Sequence, residues 1–251
     1  MRSDLGVLIE VLLIVLFSVF MTACAYDGSG GFIESWESSS IKTYVPANLS
    51  IVQADAGYWF LGDTVSSFPE CGPTPQRAEI FMHNGSKALR LTSNETKTGG
   101  CADNVWVAFF DASTVGPLNY NKGFFIPITN TTHISFEEEG ELLNPQQHGA
   151  GRNCILPPCF DNISLLLEDN HGNVLAYVLQ RYPDATPNED YSFYREIFLD
   201  PDEGLYDRNL FDDFSSIPTF NPNGAQVTSI QFKVYEHGWG IIDDINISDS
   251  N

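Results

Sequence analysis

Acidic side chains are the most numerous groups in this sequence that could take part in chemistry. The densest run is Glu137, Glu138, Glu139 and Glu141, at the end of a stretch with the pattern of a strand. Hydrolysis of a glycosidic bond needs two carboxyl groups about 5 to 10 Å apart, which makes this run a candidate for acid–base catalysis. Alternation along a strand places Glu138 on the opposite face from Glu137 and Glu139. We interpret the run as a solvated face without a catalytic role.

Basic and nucleophilic residues form no second catalytic motif. Arg181, Arg195, His171 and His237 occur singly, and no Gly-x-Ser-x-Gly sequence is present. A polysaccharide lyase needs such bases to neutralise a uronate, and the negative charge of the chain would repel an anionic glycan. We expect a non-catalytic protein, with a glycoside hydrolase or a polysaccharide lyase as the alternative.

Aromatic side chains offer a binding chemistry instead, because the apolar faces of sugars stack on flat rings. Candidates for this role are Tyr58, Trp59, Trp106 and Tyr120. Burial in the core is the competing interpretation for each of them. Neighbouring Gly, Asp and Asn residues favour exposure of Trp59 and Tyr120, whereas Trp239, between two glycines, is predicted to fill the core.

The N-terminus has the pattern of an export signal. The segment 11–23 is uncharged and has the length of a signal-peptide core, which is short for a membrane span. Residues 21–24, Met-Thr-Ala-Cys, resemble a bacterial lipobox, which implies lipidation of Cys24. We predict a signal peptide over 1–23, a flexible tether over 24–31 and a lipid-anchored protein of the cell envelope. An ordinarily cleaved signal, giving a secreted protein, and an uncleaved anchor are the alternatives.

The other four cysteines, Cys71, Cys101, Cys154 and Cys159, form an even set. Outside the cytoplasm an even set indicates disulfides, and four cysteines allow three connectivities. We favour Cys71 with Cys101 and Cys154 with Cys159. Zinc is the competing interpretation, but the paired spacing of thiolate sites is missing.

Charge and composition exclude one class of partner. The 251 residues contain 12 Lys and Arg against 33 Asp and Glu, a formal net charge of -21. Binding to nucleic acid needs clustered basic residues, so we expect no nucleic-acid partner. The chain is 43% hydrophobic and 13% aromatic, which is enough for a packed core. No repeat or linker divides 32–251, which we predict to be a single domain.

Short apolar runs between turn-forming residues predict an all-β fold. The strongest hairpin joins strands on either side of Asp169–Asn173, where Gly172 can adopt a positive φ. A short helix is predicted around 208–214, and 137–160 is predicted to be a long loop. The predicted strands are 87–92, 105–110, 123–128, 133–138, 163–168, 174–181, 196–199, 229–236 and 239–247.

Three segments resemble a known family. They are FIESWE at 32–37, GSKALRLT at 85–92 and SIQFKVYEHGWGIIDDINI at 229–247. Their order is similar to that in carbohydrate-binding modules and galactose-binding-like domains. The resemblance implies a jelly-roll β-sandwich of two antiparallel sheets that binds a neutral glycan or another cell-surface component. The alternatives are a jelly-roll glycoside hydrolase or lyase, and a surface adhesion or assembly lipoprotein without a glycan ligand.

The resemblance also implies a structural calcium ion. Strict alternation would place Asp243 on one face with Ile241, Ile245 and Ile247, where a carboxylate has to be paired, coordinated or protonated. Calcium takes six to eight oxygen ligands, including backbone carbonyls. The predicted ligands are Asp243, Glu34, Glu37 and the carbonyl of Lys87. The alternatives are that Asp243 lies in water at the strand end and that Asp244 is the inward residue.

Overall fold

The computed structural model describes residues 31–44, 49–64, 76–93, 104–114, 120–142, 162–181, 191–235 and 238–249. These residues form fifteen strands, one α-helix and a short 3-10 turn at Ala112–Thr114. In chain order they are β1 (Phe32–Glu34), β2 (Ser40–Tyr44), β3 (Leu49–Gln53), β4 (Tyr58–Thr64), β5 (Gln76–His83), β6 (Ser86–Ser93), β7 (Asn104–Phe110), β8 (Ile126–Pro127), β9 (Thr132–Leu142), β10 (Asn162–Asp169), β11 (Val174–Arg181), β12 (Tyr194–Phe198), β13 (Leu205–Asn209), α1 (Leu210–Ser215), β14 (Gln226–Tyr235) and β15 (Gly238–Asp249).

Two sheets pack face to face, and the jelly-roll β-sandwich predicted from the sequence is confirmed. The six-stranded sheet has the order β13-β9-β15-β6-β5, with β1 paired to the second half of β15. The nine-stranded sheet has the order β12-β11-β10-β14-β7-β4-β3-β2, with β8 paired to the start of β14. Strand pairing is antiparallel except between β11 and β12, which run parallel among the described strands.

The core lies between the two sheets and follows from alternation along the strands. In β9, residues 132, 134, 136 and 138 are buried and the residues between them are partly exposed. In β14, Ile230, Phe232 and Val234 point into the same core. Transfer of these aliphatic and aromatic side chains out of water is the main favourable term in folding.

The predicted hairpin between β10 and β11 is confirmed. Gly172 has a φ of 80°, and the Asp169 carboxylate accepts hydrogen bonds from the backbone N–H groups of His171 and Asn173. The side-chain amide of Asn173 also donates to Asp169, at 2.7 Å. The turn is therefore fixed by its own polar side chains.

Two predicted elements need correction. The predicted strand over 123–128 is reduced to Ile126–Pro127, because Asn121 and Gly123 adopt positive φ values and form a turn. Residues 137–142 belong to β9 and not to a loop, since they pair with β15.

A β-bulge in β15 changes the predicted face of Asp243. Asp244 has a φ of 48°, and the pairing of β15 with β9 shifts between Asp243 and Asn246. An inserted residue reverses the alternation. Ile242, Ile245 and Ile247 consequently point into the core, and Asp243 does not belong to that set.

Glu138 is the exception within the acidic run, because it is buried and not solvated. Its exposure is 2%, and neither carboxyl oxygen has a hydrogen-bond partner among the residues that the structure describes. Burial raises the pKa of Glu138 well above its ordinary value. The folded state therefore holds a proton on Glu138 at a pH at which the unfolded chain has lost it.

The protonation of Glu138 predicts how stability depends on pH. Its stabilising contribution is complete below the unfolded pKa, near 4.5, and is lost as the pH rises through the raised folded pKa. We expect the free energy of unfolding, measured by urea titration, to fall progressively as the pH rises above about 4.5. Glu138→Gln should reduce this fall, and Glu79→Gln, at an exposed position of β5, should leave it unchanged. Equal pH dependence in wild type and Glu138→Gln would contradict the assignment.

Candidate functional site

The outer face of the nine-stranded sheet, turned away from the core, has an ordered arrangement of side chains. One apolar cluster lies over β3, β4 and β7, and a second lies over β10, β11 and β12. Strand β14 runs between them and contributes polar residues. The register aligns three rows across β7, β14 and β10: Phe110, Ser229 and Glu168; Ala108, Gln231 and Leu166; Trp106, Lys233 and Ser164.

The first cluster is aromatic. The rings of Tyr58 and Tyr120 lie 4.3 Å apart, and those of Phe60 and Phe110 are stacked at 4.8 Å. The indole ring of Trp106 occupies the space beside Gly62 on the neighbouring strand, where a Cβ atom would stand 2.1 Å from the ring. Tyr58, Trp106, Phe110 and Tyr120 stay partly exposed.

Three of the four predicted ligand residues, Tyr58, Trp106 and Tyr120, therefore belong to one cluster. The prediction for Trp59 is wrong. Its exposure is 0%, and its ring packs against Trp36 at 5.1 Å inside the core. It follows Tyr58 on β4 and so points to the opposite face of the sheet.

The prediction that Trp239 fills the core is also wrong. Trp239 is partly exposed, and the guanidinium of Arg90 lies 5.1 Å from its ring centroid. The adjacent Gly240 faces the core instead, where a Cβ atom would stand within 3 Å of Ile163, Phe232 and Val234.

A cavity of about 580 Å³ opens beside the aromatic cluster. Its walls combine aromatic rings with acidic, amide and hydroxyl groups. Ligand pockets have volumes of about 300–1,000 Å³ and pair apolar walls with a few polar groups. The lining residues are Phe110, Asp111, Gly123, Phe124, Phe125, Glu168, Gln226, Thr228 and Ser229.

Asn121 connects the wall of this pocket to the sheet. Its side-chain oxygen accepts a hydrogen bond from the Tyr58 N–H, and its amide nitrogen donates to the carbonyls of Tyr58 and Phe110. The N–H of Phe124 donates to the Asn121 carbonyl. Sequence reasoning missed Asn121; its only local signal was its place, two residues before Gly123, in a turn-forming stretch.

Asp111 and Glu168 give the pocket its charge. Although burial acts in the opposite direction, hydrogen bonds from Ser113 and Gly123 lower the pKa of Asp111, with help from the charge of Lys122. Loss of solvent and the charge of Asp169 raise the pKa of Glu168. Sequence reasoning missed both pocket residues, because each is an ordinary acid at a strand end.

The predicted calcium ligand Glu34 has a different role. Its Oε1 atom accepts hydrogen bonds from the N–H groups of Trp36 and Asp55. Its Oε2 atom accepts from the Ala56 N–H and the Trp59 indole N–H. A carboxylate has about four acceptor sites, so Glu34 has none left for a metal ion. Burial raises the pKa of Glu34 to about 7, and these hydrogen bonds oppose the rise.

The other three predicted calcium ligands are held by separate contacts. Ser86 donates to Asp243 at 2.8 Å, and loss of solvent raises the pKa of Asp243 to about 6. The Lys87 N–H donates to the Glu37 carboxylate, and the Lys87 ammonium donates to the Glu37 carbonyl. The described residues contain no group of three or more His, Cys, Asp or Glu side chains arranged for a metal ion. The four-ligand site does not fit these contacts, and calcium binding itself stays a prediction.

Several predicted features lie outside the described residues. They are the segment 1–30 with Cys24, and the four cysteines Cys71, Cys101, Cys154 and Cys159. Their lipidation and pairing stay predictions. Within the described ranges, no helix is long and apolar enough to cross a membrane.

Comparison with known proteins gives only distant likenesses. No protein-family model matches the sequence, and no curated protein matches it. The chain is similar to a family 11 carbohydrate-binding module from Clostridium thermocellum in complex with a β-1,3-1,4-mixed-linked tetrasaccharide, at 10% identity and a TM-score of 0.35 over 76% of this chain and 89% of that one.

Two further solved structures are similar at the same level. One is a Bacteroides vulgatus protein with a provisional glycoside hydrolase assignment, at 12% identity and a TM-score of 0.40 over 87% of this chain and 98% of that one. The other is a family 27 carbohydrate-binding module from Caldicellulosiruptor saccharolyticus in complex with mannohexaose, at 11% identity and a TM-score of 0.28 over 76% and 91%. Because these values are low, function has to be argued from the contacts of the site itself.

The contacts of Glu34 predict a large effect of an isosteric change. In Glu34→Gln an amide nitrogen replaces one oxygen and faces two N–H donors in either orientation. Each buried donor left without an acceptor costs 1–3 kcal/mol, so we expect a loss of about 3 kcal/mol in the free energy of unfolding, measured by urea titration at about pH 8. Glu79→Gln, at an exposed position, should change it by less than about 0.5 kcal/mol. Wild-type stability in Glu34→Gln would contradict this role.

Proposed function

We propose that this chain is an exported, non-catalytic carbohydrate-binding domain that takes a glycan into the pocket beside the aromatic cluster. The observation that carries the proposal is the pocket itself, whose wall combines the rings of Phe110 and Phe125 with polar groups of β14 and β10. A sugar presents both an apolar ring face and a rim of hydroxyl groups, and this lining matches both.

The apolar part of the site is a set of rings that water still reaches. Phe125 is 38% exposed, although it lies in the pocket wall. Tyr58 and Tyr120 continue the aromatic surface next to Phe110. A sugar ring that covers these rings removes apolar surface from water, which favours binding.

The polar part of the site accepts hydrogen bonds from sugar hydroxyl groups. The Asp111 and Glu168 carboxylates are acceptors, and the side chains of Gln226, Thr228 and Ser229 both donate and accept. Three of these five residues, Gln226, Thr228 and Ser229, lie in the first half of β14, so a single strand orients their side chains. Because the strand already orients these side chains, they lose less conformational entropy when a ligand binds.

Export, membrane anchoring and calcium belong to the proposal on sequence grounds. The signal segment 1–23 would direct export, and lipidated Cys24 with the tether 24–31 would hold the domain 32–251 at the cell envelope, with secretion as the alternative. Glycans of the cell surface or the surroundings are accessible there.

The first test of the proposal is Phe125→Ala. Loss of the exposed ring should weaken binding to a soluble oligosaccharide by about tenfold, measured by calorimetric titration after a screen of neutral and amine-bearing glycans. Phe198→Ala, which removes a ring that is 59% exposed on β12, should retain wild-type affinity. An equal loss of affinity in both variants, or no loss of affinity in Phe125→Ala, would show that the glycan binds outside this pocket. Release of reducing sugar would move the chain to the glycoside hydrolase alternative.

The anchoring proposal has its own test. Radiolabelled palmitate should enter the wild-type protein in a bacterial host and should not enter Cys24→Ala. Equal labelling of the two would exclude Cys24 as the lipidated residue.

A further inference from the structure

The acidic end of the pocket has an unbalanced charge. Among the described residues, no side chain donates a hydrogen bond to the Glu168 carboxylate or forms an ion pair with it. Glu168 lies at the end of β10, in one row with Ser229 and Phe110, and lines the cavity. A partly desolvated carboxylate without a partner favours the approach of a positive charge.

The neighbouring charges increase this preference. Asp169 follows Glu168 and is held inside the hairpin turn by His171 and Asn173. Its negative charge raises the pKa of Glu168, whereas Lys122 acts on Asp111. Among the described residues that line the cavity there is neither Lys nor Arg. The described part of the cavity wall therefore supplies no cation that would neutralise Glu168.

A neutral sugar satisfies the hydrogen-bonding capacity of Glu168 but leaves its charge uncompensated. An ammonium group supplies donors and charge together, and a charge-assisted hydrogen bond is about twice as strong as a neutral one. The formal net charge of -21 over the chain also attracts a cationic ligand and repels an anionic one.

We infer that the pocket selects an amine-bearing saccharide, such as an oligomer of glucosamine, whose ammonium group binds the Glu168 carboxylate while its ring packs on Phe110 and Phe125. The inference rests on the proposed function and narrows its ligand class. Asp111 is the less suitable partner for the ammonium group, because its carboxylate already accepts hydrogen bonds from Ser113 and Gly123 and lies near Lys122.

The experiment compares two probes that differ at the amino group, which is free and cationic in one and acetylated and neutral in the other. Oligomers of glucosamine and of N-acetylglucosamine of equal length are titrated calorimetrically into the full chain at about pH 6.5, at which the amine carries a substantial positive charge. Wild type should bind the glucosamine oligomer at least about tenfold more tightly. Glu168→Gln, an isosteric change at an exposed strand end, should remove that difference, and its thermal melt reports whether the fold is intact.

Glu79→Gln is the matched control, because it removes the same charge from the six-stranded sheet and should retain the preference. Equal affinity of wild type for the two oligomers, or a preference that survives Glu168→Gln, would overturn the inference. Binding of neutral glycans that depends on Phe125, without binding of the glucosamine oligomer, would overturn the inference and leave the proposed function standing. Absence of binding to every glycan would overturn both.

Discussion

The buried carboxylate of Glu34 is the interaction on which the two sheets depend. Glu34 ends β1 in the six-stranded sheet, yet all four groups that donate to it lie in the following turn or in the nine-stranded sheet and its 54–57 turn. A carboxylate at 0% exposure is unfavourable unless each oxygen is satisfied, so loss of any of these donors destabilises the arrangement. These hydrogen bonds therefore fix the position of one sheet relative to the other, which apolar packing alone does not define.

The same interaction extends to the binding pocket. Glu34 fixes Ala56 and Trp59, and the residues between them, Gly57 and Tyr58, contact Asn121. Asn121 in turn holds the segment that carries Phe124 and Phe125. One chain of hydrogen bonds thus runs from the core to the pocket wall. Binding residues on a loop acquire the rigidity of the sheet in this way, which reduces the cost of ordering them on binding.

The fold was largely predictable because alternation and turn chemistry are local. Strands such as β10 and β11 and the hairpin between them depend on side chains within a few residues. The missed elements lack a clear alternating pattern: β2 and β3 are short and mixed in polarity, and they form by pairing with each other and with β4. The bulge at Asp244 was missed for a different reason, because it is defined by pairing with the distant strand β9 and reverses the face of Asp243.

The sequence predicted the binding residues only where an aromatic residue also occupies a strand position that faces away from the core. Tyr58 and Trp59 are adjacent and chemically similar, but successive side chains of a strand point to opposite faces of the sheet. Tyr58 therefore lies on the outer face and Trp59 lies in the core. The pocket arises from register across three strands, because the small Ser229 stands between Phe110 and Glu168 and leaves space above it. Neither Phe110 nor Glu168 has a sequence neighbour that indicates this arrangement. A binding site formed between strands that are distant in sequence is therefore a property of the sheet, and residue type alone recovers only its aromatic part.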